Sequence, residues 1–175
     1  MLDERRGVVR LSGVGPDGRR GTTTRSGPVR GHVATVETRV AARRDDVWRV
    51  LTAPGSRPEI MFGAETVTDW QVGSPVVWRG EWDGKAFEDK GQVLEVDAGR
   101  RLVVTHWSPL SGAPDVPESY HTLTWTLEDD GAGTVVRLEQ DNNASPEEAE
   151  HSAANWRTMV DGLRTVAEGE HGARR

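Results

Sequence analysis

Four tryptophans and two histidines are the side chains of this sequence best suited to hold or transform an organic molecule. Trp78 and Trp82 stand four residues apart in a strand-like run and so share one face, while Trp125 lies on the apolar side of a second alternating run. Trp156 and Met159 fall within the apolar stripe of a helical run, and Phe62 sits in a turn closed by Gly63. Indole rings bury roughly 150–250 Å² each, and side chains of this kind could wall a pocket for a flat apolar ligand with Phe62 near its mouth. The competing reading makes them ordinary core. His106 and His121 bracket a proline-rich loop, with His121 on the face of Leu123 and Trp125. An imidazole turned into an apolar cavity can donate a hydrogen bond or exchange a proton near neutral pH. A histidine satisfied by backbone at a strand end is the alternative. Glu95 is a conceivable carboxylate partner for His106, and Glu88-Asp89 would lie near the cavity rim.

Other chemistries are excluded or disfavoured. The 175 residues contain no cysteine, which removes disulfides, zinc–thiolate sites and a cysteine nucleophile. No His-x-x-x-His spacing marks a metal site, and Ser108, Ser111 and Ser119 lack a Gly-x-Ser-x-Gly elbow. No cofactor is therefore expected. The formal charge is −6, and only Lys85 and Lys90 accompany twenty arginines, so nucleic acid is not an expected partner. No apolar run approaches the roughly 18–20 residues that cross a bilayer. The Arg- and Gly-rich start lacks the apolar segment of a signal peptide. These features predict a cytoplasmic protein with no membrane contact.

The elements that must position these residues are legible in sequence order. Residues 1–32 carry seven arginines, three acids and seven glycines without apolar periodicity, and read as a disordered tail in which a short strand through Val8-Val9-Arg10-Leu11 is the one exception considered. From Val33 to Val40 the chain alternates as a half-buried strand. Asp45-Asp46-Val47-Trp48-Arg49-Val50-Leu51 starts a helix with acids at its positive end, Pro54-Gly55 stops it, and Ser56 to Met61 form one further short turn of helix. A short strand at Val67 precedes Val76–Trp82, and Asp83-Gly84 turns that strand into Phe87–Val96. Strands from Leu102 to Trp107, from His121 to Glu128 and from Thr134 to Asp141 follow. Between the first two of these lies the Ser108–Glu118 loop, stiffened by Pro109, Pro114 and Pro117. Asn142-Asn143 complete the turn into a helix signalled by Ser145-Pro146-Glu147-Glu148. Its apolar stripe, Ala149, Ala153, Trp156, Val160, Leu163 and Ala167, runs to about Glu168, leaving residues 169–175 as a second disordered tail. The fold class is α+β: a curved antiparallel sheet of about six to seven strands around a long C-terminal helix, with two short helices after the first strand.

Residues 33–168 resemble the START-like, SRPBCC superfamily, and within it the bacterial proteins related to the activator of heat-shock-protein-90 ATPase. The resemblance rests on Val47-Trp48-Arg49-Val50-Leu51, on Gly91-Gln92-Val93-Leu94-Glu95 through Arg101-Leu102, and on the blocks Gly73–Gly91, Thr105–His121, Leu138–Asn143 and His151–Leu163. It implies the helix-grip fold and a hydrophobic cavity that different members use for lipids, hormones or polyketides, or for cyclisations. Three functions follow as expectations. The first is a binding protein for a small apolar or aromatic ligand held by Phe62, Trp78, Trp82, His106, His121, Trp125, Trp156 and Met159. The second is a co-chaperone-like activator acting through a protein partner, and the third a cyclase- or dehydratase-like enzyme using His106 or His121. A homodimer is compatible with all three.

Overall fold

The computed structural model describes residues 28–174. The expected tail therefore lies almost wholly outside the described residues, as does the strand considered at Val8–Leu11. Seven antiparallel strands form one sheet: β1 (His32–Val40), β2 (Glu65–Val67), β3 (Pro75–Trp82), β4 (Lys85–Asp97), β5 (Arg101–His106), β6 (His121–Asp130) and β7 (Gly133–Asn143). Their spatial order is β1-β7-β6-β5-β4-β3-β2. Apart from the return of β1 to β7, the neighbours are consecutive in the chain and joined by turns or loops without a crossover, which gives an antiparallel sheet throughout. Alternation sets the faces. Val36 and Val40 on β1, Val76 and Trp78 on β3, Leu102 and Val104 on β5, and Leu123, Trp125 and Leu127 on β6 all point inward and are buried.

Helix α1 (Arg44–Leu51) covers one end of this concave face, and helix α2 (Pro146–Gly172) runs along it. Ser145 caps α2 by accepting a hydrogen bond from the backbone N–H of Glu148 at 3.1 Å. The Glu148 carboxylate turns back to the N–H of Ala144, one residue earlier than a capping box requires. Trp156, Met159, Val160, Leu163 and Ala167 of α2 are buried against the sheet and α1. Burial of each large apolar side chain contributes about 1.5–3 kcal/mol, so this one stripe anchors the domain. The helix passes closest to β1 and β7. Over β3 to β5 the layer is completed instead by residues 52–64.

Two expectations are corrected. The helix continues past Glu168 to Gly172, because its last turn has partners on α1 and the following loop: Glu170 binds Arg49 and Arg57, and His171 Nδ1 lies 2.7 Å from Asp46 Oδ2. The turn of helix expected from Ser56 to Met61 is absent. Arg57 and Ile60 form an isolated bridge there, and a 3-10 turn follows at Met61–Gly63. Met61 and Phe62 adopt φ of 48° and 56°, which bulky side chains rarely do, and Gly63 follows at 79°. Three consecutive left-handed residues cannot continue a right-handed helix.

The turn at Glu59 rests on α2 where Gly162 provides no side chain. A Cβ at Gly162 would stand 1.8 Å from the Glu59 carbonyl oxygen. Glycine in a helix interior ordinarily costs about 0.5–1 kcal/mol relative to alanine. Gly162→Ala should reverse that sign and destabilise the domain by about 1–3 kcal/mol in chemical denaturation, as overpacking does. A gain in stability would contradict the close approach.

Candidate functional site

On the inner face of the β3–β4 hairpin, Trp78 and Asp89 are directly opposed across the strands. Trp78 is buried at 4% exposure and Asp89 at 9%. His106 reaches the same spot from β5. Its Nε2 lies 2.9 Å from Asp89 Oδ2, so the imidazole donates to the carboxylate. Its ring sits 5.3 Å from that of Trp78 and 6.0 Å from that of Trp156, edge-on to both. The indole N–H of Trp156 donates to Gln140 Oε1, and the Gln140 amide donates in turn to Asn143 and Ser152. A buried polar network thus fixes Trp156 from behind.

The expected pairing of His106 with Glu95 is incorrect. A bulge between Val93 and Glu95 shifts the register of β4 against β5. Beyond it the inward face passes to Val96, and Glu95 stands opposite Val103 and binds Arg101 at 3.3 Å. One inserted residue therefore takes Glu95 out of the interior and leaves Asp89 as the partner. Glu88, one position from Asp89, faces outward and pairs with Arg79.

Of the remaining expected residues, Trp125 and Met159 join Trp78 around a small void between sheet and helix. Residues 53–61 close it through Ala53, Pro54, Arg57, Ile60 and Met61. Its free volume is about 30 Å³, room for one or two water molecules. Phe62 and Trp82 are not among the residues lining the void and are 43% and 59% exposed. Their rings meet edge to face at 6.5 Å, and Phe62 also approaches Trp156 at 6.4 Å. Trp82 shares the face of Trp78, as its spacing predicts, but stands at the hairpin end where the covering layer stops. His121 is across from His106, yet its Nδ1 donates to the backbone carbonyl of Asp141 at 2.8 Å, the strand-end arrangement named above as the alternative.

Trp70, Ile60 and Met61 line the void as well and escaped the sequence reading. Trp70 takes a left-handed conformation and donates its indole N–H to the Thr52 carbonyl at 2.9 Å, a tie between distant loops that leaves no periodic signal. The proline-rich loop is bound to the outward side of the sheet. Trp107 stacks with Tyr120 at 6.3 Å, Lys90 lies over the Trp107 ring at 5.4 Å, and Asp115 pairs with Lys90. Among the described residues no group of three or more His, Asp or Glu could hold a metal ion, and no helix is long and apolar enough to cross a membrane.

A curved antiparallel sheet gripping a C-terminal helix, with an aromatic interior, is the helix-grip architecture of the START-like, SRPBCC superfamily. The profile described as activator of Hsp90 ATPase homolog 1-like protein matches residues 41–168, and the chain belongs to that family. Among solved structures, ChR145 from Cytophaga hutchinsonii is 43% identical, with 82% of this chain and 97% of that one covered and a TM-score of 0.68. The Aha1 dimer from Colwellia psychrerythraea matches at 16% identity, covering 78% and 96%, with a TM-score of 0.61. CalU16 from Micromonospora echinospora matches at 23% identity, covering 78% and 74%, also at 0.61. The search of curated proteins gave no significant match.

At the void's outer edge, Arg57 pairs with Glu170, and Arg49 joins Glu170 to Asp46. The hydrogen bond from Arg57 holds the Glu170 carboxyl below its ordinary range, and those from Arg49 and His171 do the same for Asp46. Carboxyls depressed on folding stabilise the native state above their unfolded values, and that contribution is lost as pH falls through the folded values. Glu170→Gln should therefore be less stable than the wild type at pH 7, and the gap should close toward pH 3. Urea denaturation at both pH values measures it, and an equal deficit at each would contradict this role of the ion pairs.

Proposed function

We propose that the protein is a cytoplasmic binding protein that shelters a small, flat, apolar or aromatic molecule between its sheet and α2. The observation that carries this reading is an incompletely filled layer at Trp78, Trp125 and Met159, closed on one side by a segment without regular structure. Pockets for drug-sized ligands hold roughly 300–1,000 Å³, far more than the free volume present. Binding therefore requires residues 53–64, which close the void, to move outward. The segment is suited to that movement. Its backbone is held by short-range turn bonds, Ile60 N–H to Arg57 O, Gly63 N–H to Ile60 O and Ala64 N–H to Met61 O, each at 3.0 Å. Its further ties are the bridge of Gly55 to Thr66 of β2, the seat of Glu59 against Gly162, and the half-exposed ion pair of Arg57 with Glu170, the last a kind of contact worth little.

The expected partner is thus the small molecule itself, and no cofactor is required. With 1-methoxynaphthalene as probe, calorimetric titration should give saturable binding, and the melting temperature should rise with probe concentration. Ala53→Phe, placed at the mouth, should abolish both while leaving the fold intact by circular dichroism. Probe binding that is absent, or that survives Ala53→Phe unchanged, would dismiss this pocket.

A further inference from the structure

We infer that the molecule bound in this pocket carries a hydroxyl or N–H group, and that Asp89 is the acceptor that recognises it. The inference rests on the pocket reading and adds the ligand's polar chemistry. Asp89 uses one oxygen, Oδ2, to accept from His106. The other, Oδ1, is buried and accepts no hydrogen bond from any described residue. Only one other buried side-chain polar atom among the described residues is in that position, Arg44 Nε, and its guanidinium is already engaged with Asp129 through Nη1.

A buried acceptor without a donor destabilises the fold. Nothing in the fold compels that cost. The strand pairing of β3 with β4 is regular through Asp89, and the neighbouring inward positions carry Phe87, Trp78 and Gly91, none of which needs a carboxylate beside it. His106 holds the carboxylate in place through the single bond to Oδ2, and the edges of Trp78 and Trp156 hold the imidazole. The oxygen left over is oriented before any ligand arrives. Trp78 is the common wall: its indole lines the void, and its strand position faces Asp89 directly. A ligand entering from the void meets Asp89 once that indole shifts. Apolar rings would then supply area and one acceptor would supply selection, the division of labour usual in small-molecule sites.

The pairing predicts discrimination between two molecules of nearly the same shape. By calorimetry, the wild type should bind 1-naphthol about tenfold or more tightly than 1-methoxynaphthalene, in which the donor is methylated. Asp89→Asn should reduce that preference to about threefold or less, read as the ratio of the two affinities in the same variant. In the wild type, the imidazole nitrogen resonances of His106 should move with 1-naphthol and stay in place with the ether, a readout that needs no variant. Equal affinity for the two probes, or a preference that persists in Asp89→Asn, would overturn the assignment of Asp89 while leaving the pocket standing. Failure of both probes to bind would remove the pocket and the assignment together.

Discussion

The contact on which the structure depends is the apolar stripe of α2 laid along the concave face of a twisted sheet. A straight rod and a curved surface cannot stay equidistant along their whole length. Here the rod keeps close to β1 and β7, and the distance it leaves over β3 to β5 must be filled by something else. Three indoles, Met159 and an irregular segment fill it almost completely. The aromatic interior follows from that geometry, since large flat side chains span a widening gap that valine and leucine would leave empty. The weakest part of the shell is equally determined: it is the stretch without regular structure, tied to β2 by the isolated bridge of Gly55 to Thr66.

The same geometry explains how a charged group can be kept inside. Asp89 and His106 lie on adjacent strands whose backbones approach so closely that a Cβ at Gly91 would stand 1.7 Å from the Thr105 carbonyl oxygen. Glycine at that position lets the imidazole and carboxylate meet across the sheet. Surrounding rings then limit the pair to one arrangement, and the Gln140–Asn143–Ser152 network does the same for Trp156.

Much of this was legible in the residues. Period-two alternation gave the strands, Asp83-Gly84 the hairpin, and Ser145-Pro146-Glu147-Glu148 the start of α2, because each is a local signal with a local cause. What escaped were features set by contacts between distant segments. A bulge in β4 reverses which face Glu95 presents, and nothing in its own sequence marks the inserted residue. The extension of α2 to Gly172 depends on arginines more than 110 positions away. Gly162 was the exception that could have been read: an isolated glycine inside a strong helical pattern signals a close approach, and the partner is the Glu59 turn. The tryptophans divided by position along one face, with Trp78 under the helix layer and Trp82 beyond its edge, a distinction that spacing alone cannot make.

The sheet and α2 form a frame closed by one segment without regular helix or strand, residues 53–64. Native-state hydrogen exchange tests this most directly, because it resolves opening free energies amide by amide. The amides of Ile60, Gly63 and Ala64 should exchange through a local opening far less costly than global unfolding, while those of β6, β7 and the middle of α2 exchange only when the whole domain unfolds. Equal protection across the segment and the frame would mean that the layer opens only by unfolding, and would contradict the account.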